Sequence, residues 1–417
     1  MKQLIQPGLL SGTVTIPASK SDAQRAILCA ALANGTSVLT GVGASDDEQA
    51  MQQAVSMMGA MQGKRGNELR IQGIRELPEG LELSAGESGL GLRLLTCVAA
   101  AFSGKVVLTG QGSLLSRPMH FFDEVLPQFG CSVKTSEGLL PIEVQGPMWG
   151  RNLEVDGSLS SQFISGLLMA LPLSSQASSL TVRNMKSGSY IQMTIRTLQQ
   201  FGIEIKQDQA VFHIAGNQVY QATDYAVEGD WSSASYWLVA AALGHPVTVA
   251  GLSMRSLQAD KALLDALMVS GCKVLFENGA IRVDGTALHA FEFDATDCPD
   301  LFPALVVLAA KCSGLSRIKG VNRLTHKESD RGLALQSEFG KMGLRIILDG
   351  DVMEIHGTGT LRGAQVEAHH DHRIAMCLGI AGSIALGETV ITDADAVSKS
   401  YPDFWKHFQL LQPGFAV

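Results

Sequence analysis

Apolar residues in this chain fall into a recurring pattern of short strands and fully apolar helices. The stretches 26–33, 163–173 and 236–243 are apolar on every side, so they predict buried helices. Their polar residues collect at the starts. These begin near Ser19, Glu87, Ser158, Asp230, Asp297 and Asp371, and each is rich in capping or charged residues. Val106-Val107-Leu108-Thr109, Leu180-Thr181-Val182 and Val247-Thr248-Val249 predict strands. Residues 118–129 and 261–270 predict amphipathic helices. Lys273-Val274-Leu275-Phe276 and Ala280-Ile281-Arg282-Val283, on either side of Glu277-Asn278-Gly279, predict a hairpin.

The same order recurs six times. Gly73, Gly146, Gly216, Gly285 and Gly357 each end a strand-like stretch, roughly 70 residues apart. Gly35, Gly104, Gly244, Gly314 and Gly387 each close an apolar helix, with the same period and one copy missing near Ser175-Gln176. A period this long requires a small α/β motif rather than a solenoid turn. Three units precede Glu228-Gly229 and three follow, which predicts two domains. Six parallel buried helices with their N-termini gathered would focus positive potential, and their facing ends are expected to line a cleft between the domains.

Composition narrows the chemistry. The 417 residues carry a net charge of −8, so bulk electrostatics do not favour a nucleic-acid partner. Any anion site must concentrate its cations locally. The seven scattered cysteines, without a CxxC pair, fit buried thiols in a reducing compartment. No signal peptide or membrane span is expected, and a cytoplasmic monomer is. Neither a GxxxxGK[ST] loop nor a GxSxG elbow occurs, and Gly357-Thr358-Gly359-Thr360 follows a strand rather than opening a helix.

Four segments are dense enough to carry chemistry: Ser19-Lys20-Ser21 with Arg25, Leu115-Ser116-Arg117-Pro118, residues 326–331 (HKESDR), and His369-His370-Asp371-His372-Arg373. In the second, Pro118 is expected to start a helix. In the third, Lys327 and Arg331 stand at i, i+4, as on a helix start. The fourth holds metal-ligand residue types, but adjacent side chains diverge and an arginine stands beside them. No metal is expected there.

Six motifs in order resemble those of 5-enolpyruvylshikimate-3-phosphate synthases. They are Ser19-Lys20-Ser21 with Arg25, Asp156-Gly157-Ser158 with Ser160-Ser161-Gln162-Phe163, Glu228-Gly229-Asp230 with Ser232-Ser233-Ala234-Ser235-Tyr236, Lys327-Glu328-Ser329-Asp330-Arg331, Asp371-His372-Arg373-Ile374-Ala375-Met376 and Lys399-Ser400-Tyr401-Pro402-Asp403. The resemblance implies an α/β (α+β) fold, a two-domain inside-out α/β barrel. Each domain would hold three βαβαββ repeats, one domain spanning 19–228 and the other 1–18 with 229–417, closing on their substrates. It implies transfer of the enolpyruvyl group of phosphoenolpyruvate to shikimate 3-phosphate, with no cofactor.

By the same resemblance, Lys20, Ser21, Arg25, Ser160, Ser161, Gln162, Ser187, Tyr190, Asp300, Arg323 and Lys327 would meet shikimate 3-phosphate. Lys20, Gly89, Arg117, Gln162, Arg331, Arg373 and Lys399 would meet phosphoenolpyruvate. Asp300 matches the proposed base for the 5-hydroxyl. Glu328 and Lys399 both match groups that exchange a proton with the substrate methylene, and Lys20 would touch both substrates. Nearby cations should weaken Asp300 and Glu328 as bases unless desolvation compensates.

Three departures from the family pattern stand out. Glu87-Ser88-Gly89-Leu90-Gly91-Leu92-Arg93 replaces the commoner Asn-Ala-Gly-Thr-Ala-Met-Arg, and a carboxylate at 87 with Leu at 90 would reshape the phosphoenolpyruvate pocket. Arg323 stands where an asparagine is usual, and Gly188-Ser189 replaces Lys-Pro before Tyr190. Two other readings compete. A UDP-N-acetylglucosamine enolpyruvyl transferase would carry a loop cysteine near Arg117, and residues 112–117 have none. A non-catalytic repeat scaffold would not need the clustered cations Lys20, Arg25, Arg93, Arg117, Lys327, Arg331, Arg373 and Lys399.

Overall fold

The structure, a computed structural model, describes residues 1–325 and 327–412. His326, in the third of the four segments, lies outside the described residues. The chain separates into two compact units, Ala18–Glu228 and Met1–Pro17 with Gly229–Val417.

The first unit contains α1 (Lys20–Leu32), α2 (Asp46–Met57), α3 (Gly89–Ala100), α4 (His120–Val125), α5 (Ser161–Ala170) and α6 (Gly188–Gln200). The second contains α7 (Trp231–Ala242), α8 (Leu263–Val269), α9 (Phe302–Lys311), α10 (Arg331–Lys341), α11 (His372–Ser383) and α12 (Phe404–Leu411). The odd-numbered helices are the all-round apolar ones. In the first unit α3 packs on α1 and α5, and in the second α7, α9 and α11 pack on one another. Each unit therefore builds its core around three buried helices.

A complete repeat is seen at residues 152–214. Strands Asn152–Asp156 and Ser178–Arg183 pair in parallel across α5. After α6, the hairpin Ile205–Asp208/Val211–Ile214 adds antiparallel to the second strand. The sheets containing Leu81–Ser84 and Glu292–Asp294 repeat this order.

Two leading strands pair away from the helix they precede, each within its own unit. Gly12–Thr15 precedes α1 in sequence but pairs with Val247–Ala250, beyond α7. Asp224–Ala226 precedes α7 but pairs with Thr36–Thr40, beyond α1. Among the described residues the sixth repeat has no hairpin of its own, which departs from the expected pattern. Lys2–Ile5 takes that place, antiparallel to Thr389–Thr392.

The period of the chain has a steric cause. A Cβ at Gly73, Gly146, Gly285 or Gly357 would overlap the carbonyl oxygen of Ala33, Ala100, Ala242 or Cys312 respectively. Those carbonyls end α1, α3, α7 and α9. Gly216 approaches the backbone of Gln176 in the same way. The hairpins ending at Gly73, Gly146, Gly285 and Gly357 thus end where their buried helices end, and only glycine permits the approach. In the second glycine series, Gly35, Gly244, Gly314 and Gly387 have positive φ, whereas Gly104 does not. Gly285→Ala is expected to destabilise the protein by about 2 kcal/mol or more, while Gly104→Ala, which meets open space, stays within about 0.5 kcal/mol. Urea denaturation of the pair checks this, and equal midpoints would overturn the steric account.

Some helix boundaries differ from expectation. Pro118 does not start a helix: α4 begins at His120 and gives way to a 3-10 turn at Leu126–Phe129 that holds Pro127. Residues 261–270 likewise divide between a 3-10 turn, Ala259–Ala262, and α8. All seven cysteines are buried with free thiols. Among the described residues, no helix is long and apolar enough to cross a membrane.

Candidate active site

The polar helix starts hold most of the expected site residues. In the Ala18–Glu228 unit, Ser19 precedes α1, and the Lys20 ammonium donates to Asp47 Oδ2 at 2.8 Å. Asp47 lies in the first turn of α2, whose start is fixed by a capping box between Ser45 and Glu48.

Arg25, one turn further along α1, is buried. Its Nε donates to Thr194 Oγ1 at 2.8 Å and its Nη1 to the Ser21 carbonyl at 2.6 Å. Longer bonds reach Ser165 Oγ and the Tyr190 carbonyl. Arg25 therefore ties α1 to α5 and α6 as well as standing near Ser21 and Tyr190. Ser187, which precedes α6, adopts φ of 50° and is buried.

At the start of α3, the missing side chain of Gly89 makes room for two guanidiniums. A Cβ there would lie 2.7 Å from Arg117 Nη1 and 2.8 Å from Arg93 Nη1. Arg93 Nη1 donates to Gln162 Oε1 at 2.8 Å, and its guanidinium stacks 4.7 Å above the Phe163 ring. Ser160 caps α5 by accepting from the Gln162 amide, with Ser161 next to it. Arg93 thus joins Gly89 to Gln162. It was visible as a cation in the sequence, but this bridging position was not.

The other unit gathers a denser network around Asp300. Its Oδ1 accepts from Arg331 Nη1 at 2.8 Å and Lys327 Nζ at 3.3 Å, and its Oδ2 from Arg373 Nη2 at 3.0 Å. Burial acts to raise the Asp300 pKa, but Arg373, Lys327 and Arg331 outweigh it and hold the carboxyl well below the usual range. Arg331 is fully buried and also donates to Glu328 Oε2 at 2.8 Å and Asp371 Oδ2 at 2.9 Å. Burial alone would lower the Arg331 pKa, yet Asp371, Asp300 and Glu328 raise it above its ordinary value.

Lys327 is not on a helix with Arg331. The helix α10 begins only at Arg331, capped by Asp330, so residues 327–330 form a loop that folds back on Asp300. Asp371, expected from the sequence at the start of a buried helix, is fully buried and caps α11, and it also holds Arg331. Its signal was an acidic cap two residues before an arginine. Arg323 ends a 3-10 turn and faces the charges of Asp297 and Asp300, and burial lowers its pKa. Lys399 is buried at the end of another 3-10 turn, Ala394–Lys399.

The histidine run does not converge on a metal site. His369 contacts Glu338 and His370 faces Asp393, whereas His372 is buried in α11. Among the described residues no group of three His, Cys, Asp or Glu side chains is placed to hold a metal ion.

Comparison with known proteins gives this arrangement a context. A family profile described as EPSP synthase (3-phosphoshikimate 1-carboxyvinyltransferase) matches residues 5–408. The 3-phosphoshikimate 1-carboxyvinyltransferase of Clostridium beijerinckii is 37% identical over 420 residues, covering 98% of this chain and 96% of that protein. The chain belongs to the EPSP synthase family.

A solved EPSP synthase from Acinetobacter baumannii superposes with a TM-score of 0.83 at 28% identity, covering 99% of this chain and 98% of that one. The enolpyruvyl transferase NikO from Streptomyces tendae shares the fold, with a TM-score of 0.80 at 17% identity over 98% and 97% of the two chains. Within this EPSP synthase family member, Leu90 is buried in α3. The Glu87 carboxylate lies over Gly112, where a Cβ would overlap it. The unusual acid at 87 is therefore matched by a glycine in the loop leading to Arg117.

Proposed function

We infer that the chain transfers the enolpyruvyl group of phosphoenolpyruvate to the 5-hydroxyl of shikimate 3-phosphate, with release of phosphate. The family match over nearly the whole length supports the reaction. The observation that carries the mechanism is the single carboxylate Asp300 held by Lys327, Arg331 and Arg373.

Lys20, Ser21, Arg25, Ser160, Ser161, Gln162, Ser187, Tyr190, Asp300, Arg323 and Lys327 serve shikimate 3-phosphate. Gly89, Arg117, Gln162 and Lys20, with Arg331, Arg373 and Lys399, serve phosphoenolpyruvate. The two substrates carry phosphates and carboxylates, which suit guanidinium and ammonium partners.

Substrate anions compete with Asp300 for the same cations. As they take up the hydrogen bonds of Arg331, Arg373 and Lys327, Asp300 loses the partners that depress its pKa. It becomes a stronger base as the 5-hydroxyl arrives. Addition of that oxygen to C2 of phosphoenolpyruvate requires a proton on C3. Elimination removes a proton from C3 and expels phosphate. Lys399 and Glu328 are the groups for this exchange, and Glu328 is oriented by Arg331.

Phosphate release with each acceptor tests the assignment. Release is expected with phosphoenolpyruvate plus shikimate 3-phosphate, and none with UDP-N-acetylglucosamine. Release with the UDP-sugar alone would overturn it.

A further inference from the structure

The histidine run before α11 has no part in the reaction above, but it is fastened to the side of α10. Glu338 stands seven residues after Arg331, two turns along α10, so both face the same side. Both are buried. Glu338 Oε1 accepts from His369 Nε2 at 2.9 Å, and Oε2 from the Glu367 amide at 2.8 Å. Facing a carboxylate, that imidazole nitrogen carries the proton. Lys341, from within α10, also donates to both oxygens. At the other end of the same face, Arg331 donates to Asp371 Oδ2 at 2.9 Å and Oδ1 at 3.3 Å. The segment 367–371 is therefore held on α10 at two points.

Between those points the backbone makes a forced turn. The Ala368 amide donates to the Thr392 carbonyl, and the Ala368 carbonyl accepts from the Asp371 amide. His369 and His370 both adopt φ of 53°, where an L side chain crowds its own backbone. Two such residues in succession persist only where contacts outside the turn hold them. Glu338 supplies that hold for His369, whereas the exposed His370 comes only within 3.6 Å of Asp393. The turn ends at Asp371, whose Oδ1 accepts from the Arg373 amide at the start of α11.

We propose that His369 is a positioning residue for phosphoenolpyruvate: its bond to Glu338 sets the start of α11 against α10, and so fixes the spacing of Arg331 and Arg373. This role rests on the reaction inferred above. The two guanidiniums meet at Asp300, Arg331 on Oδ1 and Arg373 on Oδ2. They are thus spaced to hold one anion from two sides. A shift of about 1 Å between the helix starts is enough to weaken such a grip.

The test compares His369→Asn with His369→Gln in steady-state phosphate release, each substrate varied in turn. Asparagine suits the left-handed backbone, but its amide stops short of the Nε2 position. Glutamine suits that backbone less well, but its amide N–H reaches where Nε2 stands. His369→Asn is expected to raise KM for phosphoenolpyruvate about tenfold and to leave KM for shikimate 3-phosphate within about twofold. His369→Gln is expected to stay within about twofold of the wild type for both substrates. If relief of the forced turn were all that mattered, the order would reverse and glutamine would be the worse variant. That order overturns the positioning role, as do two KM values that stay level or rise together in His369→Asn. A wild type that releases no phosphate overturns the reaction and this role with it.

Discussion

Asp300→Ala is expected to keep both substrates bound while lowering kcat by about 10²–10⁴-fold, the usual contribution of a positioned acid–base group. The carboxylate accepts from Lys327, Arg331 and Arg373. Removing it releases one hydrogen bond from each of three cations for the substrate anions, so KM for phosphoenolpyruvate should stay level or fall. This split between kcat and KM separates a base from a binding group. Steady-state kinetics with both substrates varied would show it. Near-normal kcat would remove Asp300 from the proton transfer, and a raised KM with unchanged kcat would make it a ligand only.

Arg331→Met should have the largest effect on stability. This guanidinium is 0% exposed and bridges Asp300, Glu328 and Asp371. Methionine fills much of the volume but leaves carboxylates without their shared partner. Breaking a buried ion pair from one side costs about 3–5 kcal/mol.

The pH dependence has a definite sign. In the wild type the Asp300 pKa is held below its unfolded value, so its contribution is present above about pH 4 and is lost as pH falls further. Without Arg331 the neighbouring carboxylates bind protons more readily in the folded state. The deficit should therefore be larger at pH 8 than at pH 5. Denaturant midpoints at the two pH values check this, and a pH-independent deficit would argue for lost packing rather than lost charge compensation.

Much of the site was legible because its residues sit at helix starts, where polar residues interrupt otherwise apolar runs. Ser19, Ser88, Ser160, Asp230 and Asp371 occupy the N-cap positions of α1, α3, α5, α7 and α11. Lys327 was misread as helical because i, i+4 spacing looks the same in a loop. The loop is revealed only by Asp330 capping α10 one residue before Arg331. The second role of Asp371 was missed because it depends on a partner far away in sequence: Asp371 meets Arg331 across 40 positions.

The sequence by itself determined the repeated strand–helix order, the fully apolar helices and the glycine period. These follow from local rules: side-chain periodicity, capping and the backbone freedom of glycine. Tertiary structure decided why that period exists, since the glycines are demanded by carbonyls at the ends of helices 40 or more residues upstream. It also decided that Gly12–Thr15 and Asp224–Ala226 join the sheets of α7 and α1 respectively, because backbone pairing carries no signature in a single strand. The charge state of Asp300 was decided there too. Electrostatic energy depends on distance and burial, and the cations that set it come from loops separated along the chain.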